Sequence, residues 1–131
     1  MIAVVDASAA VEYLLRTELG EHLEPLLDTA ALMAPELLDA EILAVLRREV
    51  AKGRLAARRA SDALDDLRSW DLERVPHREL LEEAWRLRER VTAYDALYVA
   101  VAKLRGGTLV TADGPLARLP GLGVAIHNVR M

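Results

Sequence analysis

Short apolar runs, which predict buried strands, alternate along this chain with longer segments whose apolar residues recur at helical spacing. The predicted strands are Ile2–Val5, Leu32–Ala34, Leu72–Val75, Thr108–Asp113 and Val124–His127. The predicted helices are Ser8–Arg16, Gly20–Thr29, Pro35–Lys52, Ala56–Ser69, Arg78–Arg90, Tyr94–Leu104 and Pro115–Arg118. Strands that alternate with helices are typical of a parallel sheet with helices on both faces. We therefore expect an α/β fold, a three-layer α/β/α sandwich with a mostly parallel sheet of four to five strands.

The size and composition of the chain favour a single globular domain. It has 131 residues, of which 53% are hydrophobic and 29% are charged, which is enough for one core but not for two. It contains no cysteine, which excludes disulfides, thiolate zinc sites and a cysteine nucleophile. The N-terminal segment lacks the basic start of a signal peptide, and no apolar stretch is long enough to span a bilayer. We therefore expect a cytoplasmic protein with no membrane contact.

Two acidic residues stand where predicted strands end. Asp6 follows the first strand, and Asp113 closes the fourth. In parallel α/β sheets the functional crevice lies outside the carboxyl ends of the strands, so both are candidate functional residues. Ser8 and Thr111 each lie two residues from one of these acids. Their hydroxyls either orient a carboxylate or a bound water, or are simple helix-cap and strand groups.

Two further acidic residues lie among apolar neighbours on predicted helices. Glu41 has apolar residues one turn away in both directions, and Asp95 belongs to the most apolar helix of the chain. A buried carboxylate without a partner is unfavourable, so four converging carboxylates call for a compensating cation. Oxygen ligands with room for water suit Mg²⁺ or Mn²⁺, whereas zinc is disfavoured because the three histidines show no ligand spacing. The sequence therefore predicts a divalent-cation site, provided that the four acids converge.

Local roles offer an alternative explanation for three of these acids. Asp6 is placed to cap the first helix, and Asp95 to complete a capping box that begins at Thr92. Asp113 is equally suited to a turn before Gly114 and Pro115. Glu41 has no comparable local role.

Four motifs, in order and at fitting spacing, resemble the PIN-domain ribonucleases and, more closely, the VapC toxins of bacterial type II toxin–antitoxin systems. The motifs are VVDASA, PELLDAEILAVLRR, YDALYVAVA and LVTAD. The resemblance extends from Ile2 to about Arg118 and implies that residues 1–131 form one PIN domain. One departure is Ala44, because members often carry a small polar residue three positions after the glutamate.

The resemblance implies a catalytic site that depends on Mg²⁺ or Mn²⁺. By the match, Asp6, Asp95 and Asp113 hold the metal, and Glu41 either binds it through water or positions and deprotonates the attacking water. Ser8 and Thr111 fall on the supporting hydroxyls of the family. The implied activity is an endoribonuclease that hydrolyses single-stranded RNA and leaves a 5′-phosphate and a 3′-hydroxyl. The implied partners are RNA, a second copy of the chain in a homodimer, and a VapB-like antitoxin that presents an arginine to the acidic cluster.

Basic residues near the middle of the chain are candidates for RNA contacts. The net charge of −4 lacks the overall basic character of a nucleic-acid-coating protein, so any such contact must be local. Arg47, Arg48 and Arg54 belong to a basic cluster at the end of one predicted helix and the start of the next. Such a cluster is either a phosphate-binding surface or a solvated helix end.

Two other function classes compete with the ribonuclease hypothesis. The first is a phosphoaspartate protein, either a phosphatase similar to the haloacid dehalogenases or a receiver domain. That phosphatase needs a second aspartate two residues after the first, where this chain has Ser8, and a receiver needs a lysine at a late strand end, whereas Lys103 lies within a predicted helix. The second is a non-catalytic PIN-like scaffold, which the complete set of four acids disfavours.

Overall fold

The computed structural model describes residues 1–130 and has a five-stranded sheet in the order β3-β2-β1-β4-β5. Every neighbouring pair of strands is parallel. The strands are β1 (Ile2–Val5), β2 (Ala31–Pro35), β3 (Leu72–Val75), β4 (Thr108–Thr111) and β5 (Ala125–Asn128). The α-helices are α1 (Ala7–Leu14), α2 (Glu18–Thr29), α3 (Leu37–Ala51), α4 (Ala57–Ser69), α5 (Leu81–Arg86), α6 (Ala93–Arg105) and α7 (Gly114–Ala117). The predicted α/β fold with a parallel sheet is confirmed.

The helices form two layers around the sheet. Helices α1 to α4 pack on one another, with α1 against β4 and α3 against β2. Helices α5 and α6 pack together, and α6 lies against β1, β2 and β4. The central strands β1, β2 and β4 are short and almost wholly apolar, as strands buried on both faces must be, whereas the edge strands β3 and β5 also carry polar residues. The three-layer sandwich follows from this arrangement.

The strand order places a topological switch point at the middle of the sheet. The chain proceeds from β1 outwards through β2 to β3, and then returns to the other side of β1 to form β4 and β5. Loops that leave β1 and β4 therefore diverge to opposite faces and leave a crevice at the carboxyl ends of these two strands. Asp6 follows β1 and Asp113 lies two residues beyond β4, so both lie at this crevice.

The predicted start of the helix Pro35–Lys52 is wrong. Pro35, predicted to start a helix, is instead the buried last residue of β2, opposite Val75 of β3. The ladder continues one residue further, because the Glu36 amide donates to the Val75 carbonyl at 3.1 Å, and α3 begins only at Leu37. A proline is tolerated at this strand end because the ladder hydrogen bond here is donated by the amide of Glu36, and not by Pro35.

The predicted helix Arg78–Arg90 is divided into shorter pieces. A 3₁₀ turn at His77–Glu79 precedes α5, and hydrogen-bonded turns replace the last part of the predicted helix. The His77 imidazole accepts a hydrogen bond from the Leu37 amide, which fixes the beginning of the segment. The Arg90 guanidinium donates to the carbonyls of Pro120 and Gly121, which fixes its end. These long-range contacts override the helical pattern of the sequence.

Candidate active site at the carboxyl ends of the strands

Asp6 is held in a buried position between β1 and α1. Its side chain is only 6% exposed and caps α1, because Oδ1 accepts hydrogen bonds from the Ala9 amide at 3.1 Å and the Ser8 hydroxyl at 2.6 Å. Burial raises the pKa of Asp6 above its ordinary value, and the negative charge of Asp95 adds to that rise. Hydrogen bonds from Ser8, Thr111 and Ala9 oppose the rise in the pKa but do not cancel it. The capping role considered from the sequence is therefore present, and it leaves the carboxylate without a compensating cation.

The hydroxyls of Ser8 and Thr111 connect the ends of β1 and β4. Their oxygens lie 3.3 Å apart, and Thr111 is completely buried. The Ser8 oxygen accepts a hydrogen bond from the Ala112 amide, and the Thr111 oxygen accepts one from the Asp113 amide, each at 2.9 Å. Both hydroxyls thus fix the backbone from which an acidic side chain projects.

Asp113 caps the short helix α7, and the two residues that follow β5 support its loop. Its Oδ1 accepts a hydrogen bond from the Leu116 amide at 3.1 Å. The Val129 amide donates to the Thr111 carbonyl, and the Arg130 side chain donates through Nε to the Ala112 carbonyl, each at 2.9 Å. The position of Asp113 therefore depends on a segment far along the chain from the other site residues.

Asp95 lies in the first turn of α6 and is half-buried. Its amide donates to the Thr92 hydroxyl at 3.2 Å, which is the cap expected from the sequence. Burial raises the pKa of Asp95, the charge of Asp113 raises it further, and the hydrogen bond to Thr92 acts in the opposite direction. Since Asp95 also raises the pKa of Asp6, Asp95 lies within electrostatic range of both Asp6 and Asp113.

Glu41 is held by a tyrosine that the sequence analysis missed. The Tyr98 hydroxyl donates to Oε1 of Glu41 at 2.6 Å, although 57 residues separate them in sequence. Tyr98 is only 2% exposed, and burial raises its pKa well above the ordinary value, assisted by Glu41 and by the charges of Asp6 and Asp95. Tyr98 lies one helical turn after Asp95 on the same face of α6, where its ring looks like part of an apolar stripe. The available signal was its hydroxyl, because a buried tyrosine nearly always needs a polar partner.

The four acidic residues share one property that fits a bound cation. Within residues 1–130 none of them forms an ion pair with a basic side chain. Nine other carboxylates do: Glu12, Asp39, Glu49, Asp62, Asp65, Glu73, Glu79, Glu82 and Glu83. Eight further acids of the described chain also lack an ion pair, so the distinguishing feature of the site is that burial raises the pKa values of its unpaired Asp6 and Asp95. Carboxylate oxygens are ligands that suit a hard cation such as Mg²⁺ or Mn²⁺. In the same described range, no three acidic or histidine side chains form a preformed group of metal ligands, so the ligand set stays a prediction.

A cleft of about 490 Å³ opens beside two of the four acids. Asp95 and Asp113 line it, together with Arg88, Glu89, Arg90, Val91, Thr92, Pro115, Leu116 and Leu119. Its volume is within the range of ligand-binding sites. Asp6 and Glu41 do not line it; they are hydrogen-bonded to Ser8 and Tyr98 respectively.

The arginines predicted to contact RNA lie elsewhere. Arg47 and Arg48 are exposed in the last turns of α3, and Arg54 follows the helix and pairs with Glu49 at 2.8 Å. At 1.5 Å per residue, α3 extends about 15 Å beyond Glu41 before it ends. None of the three residues lines the cleft.

A second cavity, of about 290 Å³, lies away from these acids. Its lining includes Tyr13 and Trp70, whose rings stack with centroids 5.0 Å apart. No residue that the sequence analysis assigned to the site lines this cavity.

Comparison with known proteins places the whole chain in one family. Residues 3–122 match the family described as PIN domain. The chain is 43% identical over 129 residues to Ribonuclease VapC1 of Mycobacterium tuberculosis, with 97% of each chain covered. Among solved structures it is similar to PAE2754 from Pyrobaculum aerophilum, with a TM-score of 0.69, 30% identity, and 99% of this chain and 85% of that chain covered. It is also similar to a member of the VapBC family of toxin–antitoxin systems, VapBC-5 from Mycobacterium tuberculosis, with a TM-score of 0.57, 26% identity, and 99% and 98% covered.

No helix within residues 1–130 combines the length and the apolar character that crossing a membrane requires.

Proposed function

Because this chain belongs to the PIN-domain family and, within it, to the VapC group, we propose that it is an endoribonuclease and the toxin of a toxin–antitoxin pair. The observation that carries the proposal is the set of four acidic residues without basic partners at the carboxyl ends of β1 and β4 and on the adjoining helices. Its relative VapC1 is named a ribonuclease over nearly the same length of chain.

We propose that Asp6, Asp95 and Asp113 hold a Mg²⁺ or Mn²⁺ ion, with Glu41 reaching it through water. Burial and mutual repulsion already raise the pKa values of Asp6 and Asp95, so a bound cation relieves an unfavourable charge distribution. When bound, the ion polarises the scissile phosphate and offsets the charge on the leaving oxygen.

The side chains of the protein supply position and proton transfer in this proposal. Glu41, fixed by Tyr98, orients the attacking water and accepts its proton. Ser8 and Thr111 keep Asp6 and the Asp113 backbone in place. Attack by water in line with the leaving 3′-oxygen gives a 5′-phosphate and a 3′-hydroxyl, and no side-chain nucleophile is required.

The partners follow from the same family membership. We propose a VapB-like antitoxin that presents an arginine to the acidic residues, since a guanidinium matches carboxylates that lack a basic partner within the protein. The relative described as a member of the VapBC toxin–antitoxin family supports such a partner. A homodimer, a cytoplasmic location, and an outer contact of RNA with Arg47, Arg48 and Arg54 remain proposals from the sequence.

The proposal is tested by incubating the purified chain with total RNA in Mg²⁺ or Mn²⁺, with and without a chelator, and mapping the cut ends. We expect discrete cuts that leave 5′-phosphates and that disappear with the chelator. Asp6→Asn is the matched control, because asparagine keeps the Oδ1 acceptor for Ser8 and Ala9 and loses the charge. Equal cleavage by this variant would overturn the metal site.

A chain that never cuts RNA while binding Mn²⁺ normally would favour a non-catalytic scaffold. The family match displaces the phosphoaspartate alternative.

A further inference from the structure

The cleft beside Asp95 and Asp113 also has basic residues in its lining. Arg88 and Arg90 come from the turns between α5 and α6. Arg90 is engaged with the carbonyls of Pro120 and Gly121, so its guanidinium holds a loop. Arg88 makes no ion pair within residues 1–130; its guanidinium donates to the Trp85 carbonyl at 3.1 Å. Arg88 therefore presents an uncompensated positive charge at the cleft.

Two aromatic rings on the segment that supplies much of this lining are exposed. Of the five aromatic residues of the chain, Tyr13 and Trp70 stack on each other and Tyr98 is buried. The remaining two, Trp85 and Tyr94, are 67% and 62% exposed.

Trp85 and Tyr94 are tied to the cleft by their neighbours. The Arg88 guanidinium lies 4.7 Å from the centre of the Trp85 ring, and Arg88 lines the cleft. Tyr94 directly precedes Asp95, another lining residue. Large aromatic rings are usually buried, so two that stay exposed on the short segment that also supplies Arg88 and Asp95 to the cleft indicate a surface that binds a partner.

The charges that line the cleft indicate how a phosphate could bind there. Glu89, Asp95 and Asp113 outnumber Arg88 and Arg90 in the lining, so an approaching phosphate is repelled unless a cation is bound or a free arginine receives it. Arg88 can receive it, because its guanidinium has no carboxylate partner. Exposed rings beside an arginine are typical of single-strand binding, where bases stack on aromatic faces and the backbone is held by charge.

We propose that Trp85, Arg88 and Tyr94 form a single-stranded RNA rim, which holds the nucleotides next to the scissile bond. Arg88 binds a backbone phosphate, and the rings of Trp85 and Tyr94 stack on unpaired bases. This inference rests on the proposed ribonuclease function and assigns the substrate contact to the turns before α6. Stacking accepts any base, so the rim selects unpaired RNA and not a particular sequence.

The test measures RNA binding by a chain that carries Asp6→Asn to prevent cleavage. The probe is a fluorescently labelled 12-nucleotide RNA of mixed sequence, followed by anisotropy in Mg²⁺ at several salt concentrations. Trp85→Ala should weaken binding about tenfold through lost stacking, with an unchanged salt dependence. Arg88→Ala should also weaken binding and reduce the slope of log K against log salt by about 0.7, the value for one phosphate contact to a single strand.

Matched controls separate the rim from general effects. Leu81→Ala removes an exposed apolar side chain one turn earlier on α5, and Arg68→Ala removes an exposed arginine on α4. Both should bind the probe as the parent does, and circular dichroism melting should show that every variant folds. The same RNA annealed to its complement should bind independently of Trp85, because paired bases are not free to stack.

If Trp85→Ala and Arg88→Ala both bind the probe as the parent does, the proposed rim is wrong. That holds whether this surface binds a protein partner or binds nothing. Failure of the ribonuclease proposal is distinguishable, because the unmodified chain would then leave total RNA intact even though the probe binds.

Discussion

Acidic side chains on the outer helices and at the strand ends have opposite surroundings in this protein. On α4 and α5, carboxylates such as Asp65 and Glu82 lie within 3.0 Å of an arginine on the same helix. Asp6 and Asp95 have no basic partner within the described chain, and burial together with neighbouring negative charge raises their pKa values. The outer carboxylates are largely solvated pairs of small energetic value.

This contrast teaches where the molecule gives up stability for function. A paired surface acid changes the free energy of unfolding very little. A group of buried unpaired acids, in contrast, destabilises the fold until a cation binds. Perturbed groups that cluster in a crevice are a physical mark of a functional site. Substitutions that change only a paired outer acid or only an unpaired site acid can therefore separate the two roles.

The largest effect should come from Asp6→Asn. Loss of this charge should lower RNA cleavage at least about 100-fold, the scale on which losing a group that stabilises transition-state charge acts. In the presence of a chelator the variant should melt at the same temperature as the parent or higher, because asparagine removes the buried charge and keeps the acceptor. Cleavage assays and calorimetry measure the two effects.

The matched change on the other side of the contrast is Asp39→Asn. Asp39 pairs with Arg74 at 3.0 Å outside the site, so its loss should lower the melting temperature and leave cleavage unchanged. If Asp6→Asn instead lowered stability without metal as Asp39→Asn does, the contrast between the two groups would fail.

The second effect concerns Tyr98→Phe, which removes only the hydroxyl that holds Glu41. Cleavage should fall roughly 10- to 100-fold, as is usual when a partner that orients a functional carboxylate is lost. The loss should appear in kcat more than in KM. Tyr13→Phe is the control, since the Tyr13 hydroxyl donates at 2.8 Å to Asp28 away from the site.

A double-mutant cycle decides whether Tyr98 acts through Glu41. Glu41→Gln combined with Tyr98→Phe should be hardly less active than Glu41→Gln alone, because the two residues act as a unit. Additive losses would show that Tyr98 only supports the fold.

The third effect is stabilisation by the cation itself. Mn²⁺ at ten times its dissociation constant should stabilise the folded chain by about 1.4 kcal/mol, or roughly 5 °C in Tm for a domain of this size. Potassium chloride at equal ionic strength should not reproduce the shift, and Asp95→Asn should reduce it. An equal shift in that variant would place the bound ion elsewhere.

The smallest effect is a loss of folding stability at alkaline pH that depends on Tyr13 and its partner Asp28. Burial, followed by the hydrogen bond to Asp28, raises the pKa of Tyr13 to about 12. The unfolded tyrosine has a pKa of about 10, so between pH 10 and 12 the unfolded chain loses its proton while the folded chain keeps it. Stability therefore falls as the pH rises through this window. Urea unfolding of Tyr13→Phe should show a less steep fall, and an identical fall would exclude Tyr13 as a contributor.

Local sequence patterns predicted much of this arrangement. All five strands were predicted. The signal was clearest for β1, β2 and β4, because strands buried on both faces need continuous apolar residues, whereas the edge strands β3 and β5 also carry polar residues. Asp6 and Asp113 were recognisable because their position relative to a strand is a local property, and the structure places both at the switch point between β1 and β4.

Features that depend on distant contacts were not predicted. Tyr98 was hidden in an apolar stripe because its partner Glu41 belongs to another helix. The segment around Trp85 and Arg88 was predicted as one long helix, and the contact of Arg90 with the loop at Pro120 and Gly121 is not visible in its own periodicity. The expectation that RNA contacts lie at Arg47, Arg48 and Arg54 followed charge density along the chain and stays a prediction; none of the three lines the cleft.

The bracing of the Asp113 loop by Val129 and Arg130 has a practical consequence for protein engineering. The family match ends at residue 122, yet these two residues support the backbone at Thr111 and Ala112 from beyond it. A fragment trimmed to the matched region would keep all four acidic side chains of the site. It would lose the hydrogen bonds that support the backbone next to Asp113. Expression designs and fusion tags should therefore spare the tail, or an inactive preparation will be mistaken for an inactive enzyme.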